Sequence, residues 1–283
     1  MDHDLTRRFS VNGVELAWDR WGDAAGGAPL VLCHGFSGSA HDFVLHVDAL
    51  STDRPVIALD HRGHGRSTKT HDPADYSIDQ IVADVVAFLE ANVGMPVDLL
   101  GHSMGGAIAV RVTLNRPDLV RSLIMMDTSA WSFRSDDKEL SALLAGFFAS
   151  FDPAAGLPDV GDLNPAEDAL IAAATPAAWQ QDKAVLSAAF DPYALKALGE
   201  ELFAGDMSVR DRLGRIACPV TVIAGAADHP YADQAPSLAA EVSDGRVVII
   251  DGAYHSPQLT HPDEWRAAVL GHLTRVSARM SEG

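Results

Sequence analysis

The stretch Val97-Asp98-Leu99-Leu100-Gly101-His102-Ser103-Met104-Gly105-Gly106-Ala107-Ile108-Ala109-Val110 carries two kinds of pattern around one serine. Val97, Leu99 and Leu100 form a short apolar run of the kind found in a buried strand, and Ala107 to Leu114 reads as a helix. Ser103 stands at the corner between them, with Gly101 and Gly105 at the spacing G-x-S-x-G. Neighbours without side chains let a strand and a helix approach closely, and so tight a corner forces the serine into strained backbone. Such a turn lifts the hydroxyl above the sheet and aims the first free N–H groups of the helix at whatever reacts there. Read this way the corner is a nucleophile elbow. Read blandly it is a glycine-rich strand–helix turn with a capping serine, and the remainder of the chain has to decide between the two.

The chain of 283 residues has 47% apolar and 21% charged residues, enough to bury a large core. Its formal net charge of −18 repels polyanions, so nucleic acid and anionic membrane surfaces are excluded as partners at this stage. Cys33 and Cys218 each border an apolar run and are expected as free thiols in a reducing compartment. No signal-peptide core and no apolar run long enough to span a bilayer occurs, so a cytoplasmic location is expected.

Arg8 to Trp21 alternates around Asn12-Gly13, which predicts a hairpin. The runs Leu30–Cys33, Pro55–Leu59, Leu123–Met126, Pro219–Ala224 and Arg246–Ile250 read as buried strands, like Val97–Leu100. Helices are expected through Phe43 and Val47, after Ser77 as N-cap, near Pro236–Val242 and over Asp263–Val276. This alternation predicts an α/β fold: a mostly parallel sheet of about eight strands with helices on both faces. In such sheets chemistry sits at the carboxyl ends of the strands. His34, Asp60, Ser103, Asp127, Asp228 and His255 all follow strand ends.

Residues 131–212 break the alternation, cut by Pro153, Pro158, Pro165, Pro176 and Pro192 with no strand-like run. They read as a helical cap inserted in a core made of 1–130 and 213–283. The segment holds nine of the chain's nineteen aromatic residues. Most of these rings are expected to glue cap to core, and a few to line a pocket. Candidates for the pocket are Trp131, Phe147 and Trp179, with Phe36 and His229 from the core.

Taken in order, His34-Gly35-Phe36, Asp60-x-Arg62-Gly63-x-Gly65-x-Ser67, the elbow, Gly225-x-x-Asp228 and Gly252-Ala253-Tyr254-His255 resemble the α/β-hydrolase superfamily. The resemblance is to its lidded esterase and lactonase branch with a serine nucleophile, of epoxide-hydrolase-like sequence type. It covers nearly the whole chain outside the cap. It implies a triad of Ser103, Asp228 and His255 in the family's order of nucleophile, acid, base. It also implies an oxyanion hole from the backbone N–H groups of Phe36 and Met104. A serine needs an adjacent base, a histidine titrates near neutrality, and a carboxylate fixes the imidazole's tautomer. Asp127, one strand earlier, is a rival for the acid. His34 and His102 are expected to hold the loop and the elbow, and Asp60 and Arg62 to tie their own loop. No cofactor is implied, and the histidines match no zinc spacing. The expected reaction is hydrolysis of a small-molecule carboxylic ester or lactone, with acyl groups of small to medium size, through an acyl-Ser103 intermediate. A carbon–carbon bond hydrolase, a cofactor-free perhydrolase or haloperoxidase, and a ligand receptor with a retained triad stay open as alternatives. Oligomeric state is not legible.

Overall fold

Asn12 and Gly13 both adopt positive φ (47° and 80°), the backbone of a two-residue turn whose twist matches its flanking strands. They join β1 (Arg7–Val11) to β2 (Val14–Trp21) in antiparallel register. The computed structural model describes residues 5–23, 26–131, 133, 138–158 and 164–282. The hairpin pairs antiparallel with β4 (Val56–Leu59), and from there every pairing is parallel. The other strands are β3 (Leu30–Cys33), β5 (Val97–His102), β6 (Val120–Met126), β7 (Val220–Gly225) and β8 (Gly245–Ile250). Their order across the sheet is β1-β2-β4-β3-β5-β6-β7-β8. The parallel strands β3, β4, β5 and β7 are buried along their whole length, as strands covered on both faces must be.

Helices Ile78–Asn92, Met104–Asn115 and Tyr231–Ala240 pack one face of the sheet around Phe88, Ile108 and Leu238. The segment Ala40–Leu50 and the helix Pro262–Glu282 cover the other, around Phe43, Leu50 and the fully buried Trp265. Ser77 caps its helix by accepting from the Gln80 N–H at 3.1 Å. Two expectations need correction. Ala40–His46 is a 3₁₀ segment, pinned at its start by the Asp60 carboxylate, and only Val47–Leu50 is α-helical. Pro236 lies inside its helix instead of opening it, because the turn after Asp228 already starts the helix at Tyr231.

Between β6 and β7 the chain leaves the sheet. Its described residues there form helices Lys138–Ser150, Pro165–Ala174, Ala177–Ala188 and Pro192–Phe203 with short 3₁₀ turns, and no strand. Pro165 and Pro192 open their helices, where a missing N–H costs nothing. The helices lie over the carboxyl ends of the strands. Trp179 donates its indole N–H to the His41 carbonyl while His41 Nε2 meets the Trp179 carbonyl, each at 3.0 Å. Lys183 pairs with the buried Asp42 at 2.5 Å.

Candidate active site

Ser103 has φ 52° and ψ −120°, a conformation costly for any residue with a Cβ. Its N–H is tied to the Met126 carbonyl at 2.9 Å, and its own carbonyl accepts from Gly106 N–H and from the Thr128 hydroxyl. The two flanking glycines are required by distance. A Cβ on Gly101 would stand 2.2 Å from the Gly105 carbonyl oxygen, and one on Gly105 would stand 2.2 Å from that of Cys33. Helix Met104–Asn115 therefore presses directly on the ends of β5 and β3. The Met104 N–H, first of that helix, has no acceptor within it.

His255 follows β8 on a loop that returns over the sheet. Its Nδ1 meets Asp228 Oδ2 at 2.8 Å. Burial pulls the imidazole toward its neutral form, but the bond to Asp228, that carboxylate's charge and Glu167 behind it outweigh burial. The net shift is upward from the ordinary histidine value. His102 Nε2 lies 2.7 Å from the His255 carbonyl, and burial lowers the His102 pKa to about 4. A neutral His102 thus donates from Nε2 and fastens the elbow to the loop that carries His255. From the cap, Glu167 accepts the Ser256 N–H at 2.6 Å.

The loop bearing Phe36 is held by His34, whose Nδ1 meets the Gly35 carbonyl at 2.8 Å while Nε2 accepts from the His61 N–H at 3.0 Å. Asp60 binds the N–H groups of Ala40 and Arg66, and its carbonyl accepts from the Ser67 hydroxyl. Asp60 thus closes its loop as expected. Arg62 reaches further, forming a two-point pair with Asp84 of helix Ile78–Asn92 at 2.6 and 2.8 Å.

Two cavities meet at Phe36, Ser103 and His255. One, of about 310 Å³, has a mixed wall in which Asp42, Asp168, Lys183 and Gln258 stand beside Ile171, Trp179 and Leu259. The other, of about 280 Å³, is apolar, walled by Met104, Phe133, Leu202, Phe203 and Tyr231. Phe36 and Trp179 are therefore on the cavity wall. Trp131 instead lies under the Arg210 guanidinium at 4.7 Å, Phe147 packs on Phe148 and Phe151, and the exposed His229 pairs with Asp233. These three line neither lobe. Sequence reading missed Lys183 and Asp42, which meet across 141 residues and belong to no motif. It also missed Tyr231, Phe133 and Phe203; only the aromatic excess of the cap hinted at the last two.

A second serine–histidine contact lies at the opposite, amino ends of the strands. Ser122 Oγ meets His272 Nε2 at 2.9 Å, Thr221 holds the other ring nitrogen at 2.8 Å, and Ser122 donates to Asp98. All four side chains are buried and line neither lobe, so this network ties the last helix to the sheet. Among the described residues no group of histidine, cysteine and acidic side chains could hold a metal ion.

Residues 28–262 match the family model of the alpha/beta hydrolase fold, and the chain belongs to that family. Over 120 residues, 42% of its length, it is 38% identical to the dihydrolipoyllysine-residue acetyltransferase component of an acetoin cleaving system of Pseudomonas putida, matching 32% of that protein. Over 112 residues, 38% of its length, it is 37% identical to a (lyso)-N-acylphosphatidylethanolamine lipase of Bos taurus, again 32% of that protein. The chain thus matches about a third of the length of these curated relatives. Among solved structures, Est816, described as an N-acyl homoserine lactone degrading enzyme, is 26% identical with a TM-score of 0.69, over 94% of this chain and 99% of that one. No helix among the described residues is long and apolar enough to cross a membrane.

Proposed function

We propose that the protein is a serine hydrolase that cleaves small carboxylic esters or lactones through an acyl-Ser103 intermediate, and that residues 131–212 act as its cap. The observation that carries this is the 2.8 Å contact of His255 Nδ1 with Asp228, at the mouth of the cavities that Ser103 enters from a strained elbow. His255 Nε2 takes the Ser103 proton as Oγ attacks the carbonyl carbon, and Asp228 stabilises the imidazolium. The N–H groups of Met104 and Phe36 receive the oxyanion, each worth about 3–4 kcal/mol of barrier. The imidazolium then protonates the departing alcohol as the C–O bond breaks. Water repeats the sequence on the acyl-enzyme and returns the serine.

The lobe walled by Met104, Phe133, Leu202, Phe203 and Tyr231 suits the acyl half, and the mixed lobe with its charged side chains suits the alcohol half. Once the alcohol leaves, a lobe lined by Asp42, Asp168, Lys183 and Gln258 refills with water beside the base, which deacylation needs. We place the chain with the serine-nucleophile esterases and lactonases; the epoxide-hydrolase-like loop Asp60–Ser67 serves the scaffold. Both cysteines are free thiols, consistent with a reducing, cytoplasmic setting.

The test is a fluorophosphonate label combined with a panel of chromogenic esters and lactones of graded acyl and alcohol size. Labelling of Ser103, burst release, and preference for compact apolar acyl groups with polar alcohols are expected. Lys183→Met should raise KM for polar alcohols while sparing apolar ones. An unlabelled Ser103 together with silence across the panel, in folded protein, would refute the assignment.

A further inference from the structure

Asp127 is the residue that competed with Asp228 for the role of acid, and its surroundings give it a different task. It follows β6 with φ 43°, a strained backbone, and its carboxyl meets the end of β7. It is completely buried. Oδ1 accepts the Gly225 N–H at 2.8 Å, and the Gly225 carbonyl in turn accepts the Asp228 N–H at 3.0 Å. One glycine thus carries the register between the two carboxyls. Oδ2 of Asp127 is sealed from solvent and finds no donor.

The charged and titratable groups that act on this carboxyl are Asp228 and, further off, Glu167, with Tyr231 of the next helix facing the pair. None is a cation, and the imidazole of His255 is engaged with Asp228. Two adjacent carboxylates cannot both stay ionised in so dry a place, and the less compensated one takes the proton. Asp228 has the imidazole and partial access to solvent; Asp127 has one amide N–H. Burial, then the charge and hydrogen-bonding proximity of Asp228, push Asp127 well above the usual carboxylate range.

Resting on the reading of Asp228 as the triad acid, we propose that Asp127 is a neutral carboxylic acid that donates its Oδ2 proton to Asp228 and so positions it against His255. It is a positioning residue, not a catalytic one. The donated bond gives the orphaned oxygen its partner and fixes the Asp228 rotamer. It also tempers the charge that Asp228 presents to the imidazole.

Asparagine reproduces the arrangement: its carbonyl accepts from Gly225 N–H and its amide donates to Asp228. Leucine keeps the shape and removes both bonds. Asp127→Asn should therefore keep the parent's kcat, KM and pH profile, whereas Asp228→Asn should lose kcat about 10⁴-fold. Asp127→Leu should lose kcat about 10- to 100-fold with KM nearly unchanged. Its acidic limb should move to higher pH, because an untempered Asp228 holds the imidazolium more firmly. Independently of turnover, the infrared difference between parent and Asp127→Asn at neutral pH should contain the carbonyl stretch of a protonated carboxylic acid. Collapse of Asp127→Asn to the level of Asp228→Asn, or absence of that band from the parent, overturns the proposal. The infrared arm reads the proton even if every ester in the panel is refused, which separates this proposal's failure from that of the hydrolase assignment.

Discussion

Gly105→Ala is the substitution whose consequence is most directly written in the geometry. The added Cβ would lie 2.2 Å from the Cys33 carbonyl oxygen and 2.6 Å from that of His34, both backbone atoms at the end of β3. Neither can rotate away, so helix Met104–Asn115 must retreat from β3 by about 1 Å to restore ordinary contact. Overpacking of this kind costs about 1–3 kcal/mol, which for a chain of this length lowers Tm by roughly 2–10 °C. The functional cost is larger. The retreat separates the Met104 N–H from the Phe36 N–H, and an ångström of misplacement at reacting groups is worth about 100-fold in rate. We therefore expect a folded protein with kcat down about 100-fold and KM changed far less, because in the proposed mechanism the two donors act on the oxyanion and not on the bound ester. The assay is steady-state and burst kinetics on a short-chain chromogenic ester beside a thermal melt. Gly146→Ala is the control: a Cβ there meets nothing within 4 Å, and helix propensity predicts a gain of about 0.5–1 kcal/mol with unchanged kinetics. A folded Gly105→Ala enzyme with the parent's kcat would refute the placement of the oxyanion donors.

Two further predictions concern stability. Arg62→Met leaves the buried Asp84 carboxylate without its counter-charge, held only by the Asn12 amide, and should cost about 3–5 kcal/mol in urea unfolding, with much of it recovered in Arg62→Met/Asp84→Leu. Burial holds His46, His64 and His102 at pKa values of about 4, and His61 and His272 at about 3, while the unfolded chain titrates near 6.5. The unfolded state therefore binds more protons as pH falls, so stability is full above about pH 6.5 and declines steadily down to pH 4 and below. A Tm that stays level between pH 7 and 5 would show that these rings are not buried in their neutral forms.

The strands and the order of the motifs were legible in the sequence because each rests on local physics. Continuous apolar runs declare buried parallel strands, Asn12-Gly13 declares a hairpin, and Gly101 and Gly105 declare a corner where backbone touches backbone. Ser77 announced its helix by the same kind of neighbour-to-neighbour bond. The helix through residues 40–46 and the start of the helix expected near Pro236–Val242 differ from that reading because the Asp60 carboxylate just after β4 and a turn after β7, neither local, set those starts.

Sequence by itself determined the strands of the sheet and the corner at Ser103, since both follow from spacing along one chain, whereas Asp228 and His255 as partners of that serine were what the resemblance to the α/β-hydrolases implied. Between Asp228 and Asp127, which both follow strand ends, the resemblance favoured Asp228; the tertiary structure adds that the Asp228 carboxyl meets an imidazole 27 residues away while Asp127 is fully buried. Tertiary structure alone divided the cavity into an apolar lobe and a mixed one that carries charged side chains, and put Lys183 on Asp42. Those relations arise between segments distant in the chain, where dielectric environment and access to solvent are fixed only once the cap has come down on the sheet.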